Sequence, residues 1–192
     1  MSAVSIADAW PGWGEPFTVE DLERMPDDGR RYELIDGMLI VSPAPNMGHQ
    51  RVIVVLSSLL EQACPENLVV FADIGVRIAD NSALEPDVVV ARVADAEGVR
   101  LARPPVLVVE VLSPHSVLRD LNLKKAAYER FGIPSYWVID PDLNGPSLRG
   151  YELDGATYAE VAHVTGAEAF RASRPFDVEI VPDRLVAKLR RR

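Results

Sequence analysis

Two acidic residues occupy positions where the surrounding sequence is apolar. Glu110 lies within VLVVEVL, residues 106–112, and every other member of that run is Val or Leu. Asp87 opens a second apolar run, PDVVVARV at 86–93, directly after a proline that favours the first position of a strand. A carboxylate buried in such strands is costly unless a cation or hydrogen-bond donors satisfy it. We therefore expect both side chains to have a chemical role.

The two carboxylates predict a site for a divalent cation. If the two strands pair, neighbours on the same face lie about 5 Å apart at Cβ, and the repulsion between their charges is relieved by a shared cation. Oxygen ligands without a histidine or cysteine set suit Mg²⁺ or Mn²⁺ better than Zn²⁺. Such an ion activates water and neutralises charge on a phosphate. The sequence thus predicts Asp87 and Glu110 as metal ligands for phosphoester hydrolysis.

A lysine follows on the next predicted helix, residues 116–131. That helix has an apolar face at helical spacing, formed by Val117, Leu121, Tyr128 and Phe131. Lys124 takes the missing place on this face, whereas Lys125 lies on the opposite face as a solvated charge. With a rise of about 1.5 Å per helical residue and about 3.3 Å per strand residue, a helix folded back over its strand brings Lys124 level with Glu110. Lys124 could orient or deprotonate water, or stabilise a pentavalent phosphorane; the alternative is a snorkelling lysine.

The order of the predicted helices and strands indicates an α/β fold, with a mixed central β-sheet flanked by helices that positions these residues. Helices are expected at 18–25 and 48–63, and the Asp36-Gly37 pair predicts a hairpin over 32–41. Further strands are expected from apolar or alternating patterns, at 68–78, 86–93, 106–112, 135–140, 148–153, 157–164 and 176–181.

The amino-acid composition excludes some classes of protein and some kinds of site. The 192 residues include 20 basic and 29 acidic side chains, and the net charge of −9 excludes a strongly basic nucleic-acid coat protein. Cys64 is the only cysteine, so neither an internal disulfide nor a cysteine metal cluster can form. No signal peptide or membrane-spanning run is visible, and we expect a cytoplasmic protein. The expected organisation is an irregular arm (1–16), one domain (17–185) and a basic tail (186–192).

Several motifs together resemble a known family. They are YELIDG at 32–37, SPAP followed by His49, EPDVVV at 85–90, VVEVLSP at 108–114 and the K-x-x-x-Y to YWVIDP stretch at 124–141. Over roughly residues 17–185 the chain resembles the bacterial Uma-two family of restriction-endonuclease-like proteins in the PD-(D/E)XK nuclease superfamily.

The resemblance implies a restriction-endonuclease-like fold, with Asp87 and Glu110 as metal-binding carboxylates and Lys124 as the catalytic lysine. It also implies that Glu33 is an additional acidic residue near the metal. One departure from the superfamily pattern is that Val111-Leu112 follow Glu110, where a lysine is expected two positions on. The family places that lysine on the next helix, as the helical-face argument also does.

The leading functional hypothesis is a Mg²⁺- or Mn²⁺-dependent endonuclease that acts on DNA as a homodimer, since two-fold symmetry pairs two active sites. The alternative is a catalytically silent module that binds nucleic acid or protein, which the acidic net charge favours because phosphate contacts need Lys and Arg. Hydrolysis of a small phosphoester is a third possibility. His49 could approach a phosphate or be structural, and Glu85 could be a supporting acid.

Overall fold

A computed structural model describes residues 15–114 and 116–190. Residues 1–14 of the predicted arm and the last two residues of the predicted tail lie outside the described residues, so both predictions stay open. The described α-helices are α1 (Val19–Leu22), α2 (Met47–Ala63), α3 (Lys125–Phe131) and α4 (Pro182–Val186). None of the described helices combines the length and the apolarity needed to cross a membrane.

The strands correspond to the predicted ones, except that the predicted strand 68–78 is divided in two, and several shorter strands are added. They are β1 (Arg31–Ile35), β2 (Met38–Ser42), β3 (Leu68–Ala72), β4 (Gly75–Ala79), β5 (Ser82–Leu84), β6 (Val88–Arg92), β7 (Arg100–Leu101), β8 (Leu107–Val111), β9 (Ser135–Asp140), β10 (Ser147–Asp154), β11 (Thr157–Thr165), β12 (Phe170–Ala172) and β13 (Val178–Ile180).

The central sheet has the order β11-β10-β9-β8-β6-β3, with β8 and β9 parallel and the other neighbours antiparallel. Its middle strands are covered on both faces, which explains their nearly continuous apolar sequences. Helix α2 packs on one face, and α3 packs on the other. The predicted mixed α/β fold with a helix-flanked sheet is confirmed.

The predicted hairpin is confirmed and holds Glu33 in place. Asp36 and Gly37 adopt positive φ angles of 48° and 80°, the conformation that a tight primed turn requires. Strands β1 and β2 pair in the register that this turn sets, and β1 also pairs with β5 in the second sheet, β2-β1-β5-β4-β7. Glu33 is buried on β1.

The apolar run 68–78 is not one strand, as the sequence pattern predicts, but two. Strand β3 joins the central sheet beside β6, whereas β4 joins the second sheet. The chain turns at Asp73, whose φ of 52° lies in the left-handed region that Asp tolerates better than most residues. Apolar residues continue on both sides of this turn, so periodicity alone does not reveal it.

The predicted helix 116–131 forms, but its first part is π-helical over Arg119–Lys124. Because a π turn closes i→i+5 hydrogen bonds, the buried face is shifted. It contains Asp120 and Lys124, whereas Val117 is 37% exposed and the predicted apolar face is wrong there. Lys125 is also not a freely solvated charge, since its Nζ lies 4.7 Å from the centre of the Tyr151 ring.

Candidate active site

Asp87 and Glu110 meet at one end of the central sheet. Strands β6 and β8 are antiparallel with Val88 opposite Val109, a register that places Asp87, one residue before β6, opposite Glu110. The Asp87 Oδ2 atom accepts a hydrogen bond of 2.7 Å from the backbone N–H of Val111. Both carboxylates are buried. The predicted pairing of the two strands is therefore confirmed.

Lys124 is surrounded by three buried carboxylates. We call Lys124 and these carboxylates, Glu33, Glu110 and Asp120, the inner cluster. Its Nζ is 2.8 Å from Glu33 Oε1, 3.0 Å from Glu110 Oε1 and 3.9 Å from Asp120 Oδ1. Burial alone would lower the pKa of Lys124, but the charges of Glu110, Glu33 and Asp120 raise it above its usual range. Lys124 is thus held as an ammonium ion.

Glu110 is stabilised by two donors on the helix above it. In addition to Lys124, the Tyr128 hydroxyl donates a hydrogen bond of 2.6 Å to Glu110 Oε1. Burial raises the pKa of Glu110, the Lys124 charge opposes this shift, and the neighbouring Asp120, Asp87 and Glu33 add to it. Ionisation of Glu110 is therefore unfavourable in this unscreened environment unless a cation such as Lys124 offsets its charge.

A second group, the outer cluster, consists of Arg31, Asp73, Glu85 and Asp87. Arg31 donates from Nη1 to Asp87 Oδ1 at 2.8 Å and from Nη2 to Asp73 Oδ1 at 2.6 Å, while its Nε lies 3.9 Å from Glu85 Oε1. Asp87 is buried, but the side chains of Asp73 and Glu85 are 37% and 35% exposed. The outer cluster therefore connects the buried carboxylate to the surface.

His49 reaches the same carboxylate from the first turn of α2. Asn46 caps this helix by accepting a hydrogen bond from the His49 backbone N–H, and the His49 Nε2 atom lies 3.2 Å from Asp87 Oδ2. Burial alone would raise the pKa of Asp87, but His49 and Arg31 lower it to about 2. Asp87 is accordingly a carboxylate with a partner on each oxygen.

Residues of both clusters line a cavity of about 420 Å³. Its lining includes Asp87, Glu110 and Lys124, the segment 41–46, and Ser113, Pro114, Ser116, Arg119 and Asp120. A neighbouring cleft of about 620 Å³ is lined mainly by apolar residues and reaches none of these three charged side chains. The chemically equipped cavity is the smaller one.

The cavity contains the type of ligand that a hard divalent cation prefers, but not a finished site. No group of three or more His, Cys, Asp or Glu side chains among the described residues is arranged as a ready metal site. Arg31, His49 and the Val111 N–H engage both oxygens of Asp87. The donor chemistry suits Mg²⁺ or Mn²⁺, because it consists of carboxylate oxygens. Glu33 is not among the residues that line the cavity, but its buried Oε2 atom has no hydrogen-bond partner.

The structure brings together Asp87, Glu110, Lys124 and Glu33, the four residues proposed from the sequence. The sequence reasoning missed several further members of the site. Two of them carry a spacing signal, since Asp120 and Tyr128 each lie four positions from Lys124. Arg31 shares a strand face with Glu33 two positions on, which is a signal of the same kind.

Comparison with known proteins gives a family match and a likeness to solved structures. Residues 19–185 match the family described as "Uma2: Putative restriction endonuclease". The fold is similar to the crystal structure of "a putative nuclease belonging to DUF820" from Anabaena variabilis, with a TM-score of 0.71 and 19% sequence identity over 91% of this chain and 100% of that one. A comparison with curated proteins found no significant match.

Proposed function

The chain belongs to the Uma2 family of restriction-endonuclease-like proteins, and we propose that it is a metal-dependent endonuclease that hydrolyses phosphodiester bonds in DNA. The observation that carries this proposal is the inner cluster beside Asp87, because it places four ionisable side chains in the core. Well-packed apolar residues would serve stability as well as or better than such a buried charge network. A strongly perturbed, buried group of charges that lines a cavity is typical of a functional site.

Asp87 and Glu110 would hold the divalent ion, with Glu33 as a further acidic residue beside it. When bound, the ion supplies a lowered pKa for coordinated water and neutralises charge on the scissile phosphate. Glu33 is suited to such a role because its Oε1 is fixed by Lys124 and by the Glu85 backbone N–H, while its Oε2 is unpartnered.

Lys124 acts in this proposal as a fixed positive charge. The surrounding carboxylates raise its pKa, so the side chain stays protonated at neutral pH and has no free lone pair with which to take a proton from water. A protonated Lys124 cannot deprotonate water. Its charge instead supports the other two roles considered from the sequence, which are stabilisation of the negative charge on the phosphorane and orientation of the attacking water. The burial of Lys124 away from solvent screening strengthens either effect.

A DNA substrate requires local positive charge on a protein whose net charge is −9. Arg119 and Arg31 both line the cavity, with side chains 21% and 16% exposed. They support phosphate binding at the cavity mouth. We further propose a cytoplasmic homodimer, since cutting both strands of a duplex is commonly achieved by two symmetric sites.

Nicking of supercoiled plasmid tests this function. We expect wild type to cut with Mg²⁺ or Mn²⁺ and not with a chelator, and Asp87→Asn to be inactive while folded. Asp154→Asn removes an exposed carboxylate outside the cavity and serves as the matched control with wild-type activity.

Cleavage that survives in Asp87→Asn would contradict the assigned site. If folded wild-type protein shifts DNA in a gel but does not cut it with either metal, the nuclease proposal fails and the silent binding module is the better account.

A further inference from the structure

Arg31 holds Asp87 in the way that a bound cation would. Its guanidinium contacts Asp87 Oδ1 at 2.8 Å, on a carboxylate that the proposed function assigns to the metal. The other oxygen, Oδ2, already has His49 Nε2 at 3.2 Å and the Val111 N–H at 2.7 Å. Oδ2 is thus fully engaged, so a further cation on Asp87 must approach Oδ1, the oxygen that carries the positive charge of Arg31.

We propose that Arg31 is a displaceable cation, which occupies on Asp87 the place of the divalent ion and competes with the ion for that carboxylate. The inference rests on the proposed function and deepens it, since it assigns control of metal loading to one side chain. It makes Arg31 a positioning residue rather than a metal ligand.

The two clusters differ in whether their cation can move away from a buried carboxylate. Lys124 is almost fully buried and its three carboxylate partners are buried too. If its ammonium group moved away, it would lose these ion pairs without gaining others. Arg31 has two further partners, Asp73 at 2.6 Å and Glu85 at 3.9 Å, and both are partly exposed. The guanidinium can release Asp87 and remain paired at the surface.

Charge balance favours the exchange. Without counting His49, the outer cluster sets the three carboxylates of Asp73, Glu85 and Asp87 against one guanidinium. A divalent ion neutralises the excess of two negative charges, provided that Arg31 stays with the exposed carboxylates. Uncompensated buried charge is costly, so the cluster gains from accepting the ion.

Removal of Arg31 should consequently tighten metal binding. Arg31→Gln frees Asp87 Oδ1 of a charge-assisted hydrogen bond, a type of bond whose strength corresponds to roughly a tenfold or greater change in affinity. Arg119→Gln is the matched control, because Arg119 lines the same cavity but its recorded ion pair, at 3.7 Å, is with Asp120. It reports the effect of losing one positive charge without freeing Asp87.

The experiment is a Mn²⁺ titration of the full chain, without DNA, in which free Mn²⁺ is followed by electron paramagnetic resonance. We expect Arg31→Gln to bind Mn²⁺ about tenfold or more tightly than wild type, and Arg119→Gln to differ from wild type by no more than about threefold. Arg31→Lys keeps the charge but cannot bridge Asp73 and Asp87, so it should bind with intermediate affinity. If Arg31→Gln does not fold, the inference is tested by whether Arg31→Lys binds Mn²⁺ more tightly than wild type.

Equal or weaker Mn²⁺ binding by the Arg31 variants would overturn the inference, as would equal gains in Arg31→Gln and Arg119→Gln. If binding is unchanged in the Arg31 variants but lost in Asp87→Asn, only the inference fails and the metal site stands. If neither wild type nor any folded variant binds Mn²⁺, the inference and the metal-dependent function fail together.

Discussion

Asp120 and Lys124, four residues apart, share one buried face, and Asp120 Oδ1 lies 3.9 Å from Lys124 Nζ. The apolar face predicted from the sequence omits Asp120 and contains Leu121, which is only half-buried. Asp120 Oδ1 is buried without a hydrogen-bond partner, so its contribution to Lys124 is electrostatic. Asp120 therefore adds a third carboxylate to the surroundings of the lysine.

Asp120→Asn should reduce plasmid nicking about tenfold or more, the range found for residues that orient functional groups. The physical reason is that the substitution removes one of three charges that hold the ammonium in place. Leu121→Ala, at the adjacent and only half-buried position, should lower the free energy of unfolding by about 1–2 kcal/mol with little change in nicking. Wild-type activity in Asp120→Asn would show that the Asp120 carboxylate has no part in positioning Lys124.

Tyr128→Phe should lower both stability and activity. It removes a buried hydrogen bond of 2.6 Å to Glu110 and leaves a buried acceptor without that donor, at a cost of about 1–3 kcal/mol. Tyr158→Phe is the matched control, because that hydroxyl donates a buried bond of 2.7 Å to the Ile133 carbonyl, remote from the carboxylates. Urea unfolding should show a loss in both variants, whereas only Tyr128→Phe should cut more slowly. Equal cutting by the two variants would contradict the prediction.

The lowered pKa of Asp87 predicts how stability depends on pH. Because its folded-state pKa, about 2, lies below the unfolded value, the ionised form stabilises the fold above about pH 4, and this contribution is lost as pH falls toward 2. The difference in unfolding free energy between wild type and Asp87→Asn should therefore be constant near neutral pH and shrink on acidification. Asp154→Asn, measured in parallel, accounts for the loss of one negative charge. A difference that widens below pH 4 would contradict the assignment.

The sequence contains enough information to predict the core of the site. The apolar runs around Asp87 and Glu110 predict two central strands, and their pairing follows once both belong to one sheet. The Asp36-Gly37 turn fixes the hairpin that carries Glu33. The turn depends on local residue types and the two strands depend on burial. The sequence pattern indicates both kinds of feature.

Other features depend on contacts that local patterns do not encode. Arg31 pairs with Asp73 and Asp87, which are 42 and 56 residues away along the chain. The left-handed turn at Asp73 interrupts a continuous apolar run, and no residue marks the π turn in advance. Tertiary packing decides all three, so they emerge only from the structure.

The most direct test of the central claim compares two adjacent lysines. Lys124→Met and Lys125→Met remove the same charge at neighbouring positions, but only Lys124 lies in the inner cluster. Folded variants, verified by circular dichroism and thermal melting, would be assayed for plasmid nicking with Mn²⁺ under single-turnover conditions. The buried charge cluster predicts a loss of about 10²–10³-fold for Lys124→Met and a change within about twofold for Lys125→Met. Equal activity of the two folded variants would contradict the assignment of Lys124 and of the site around it.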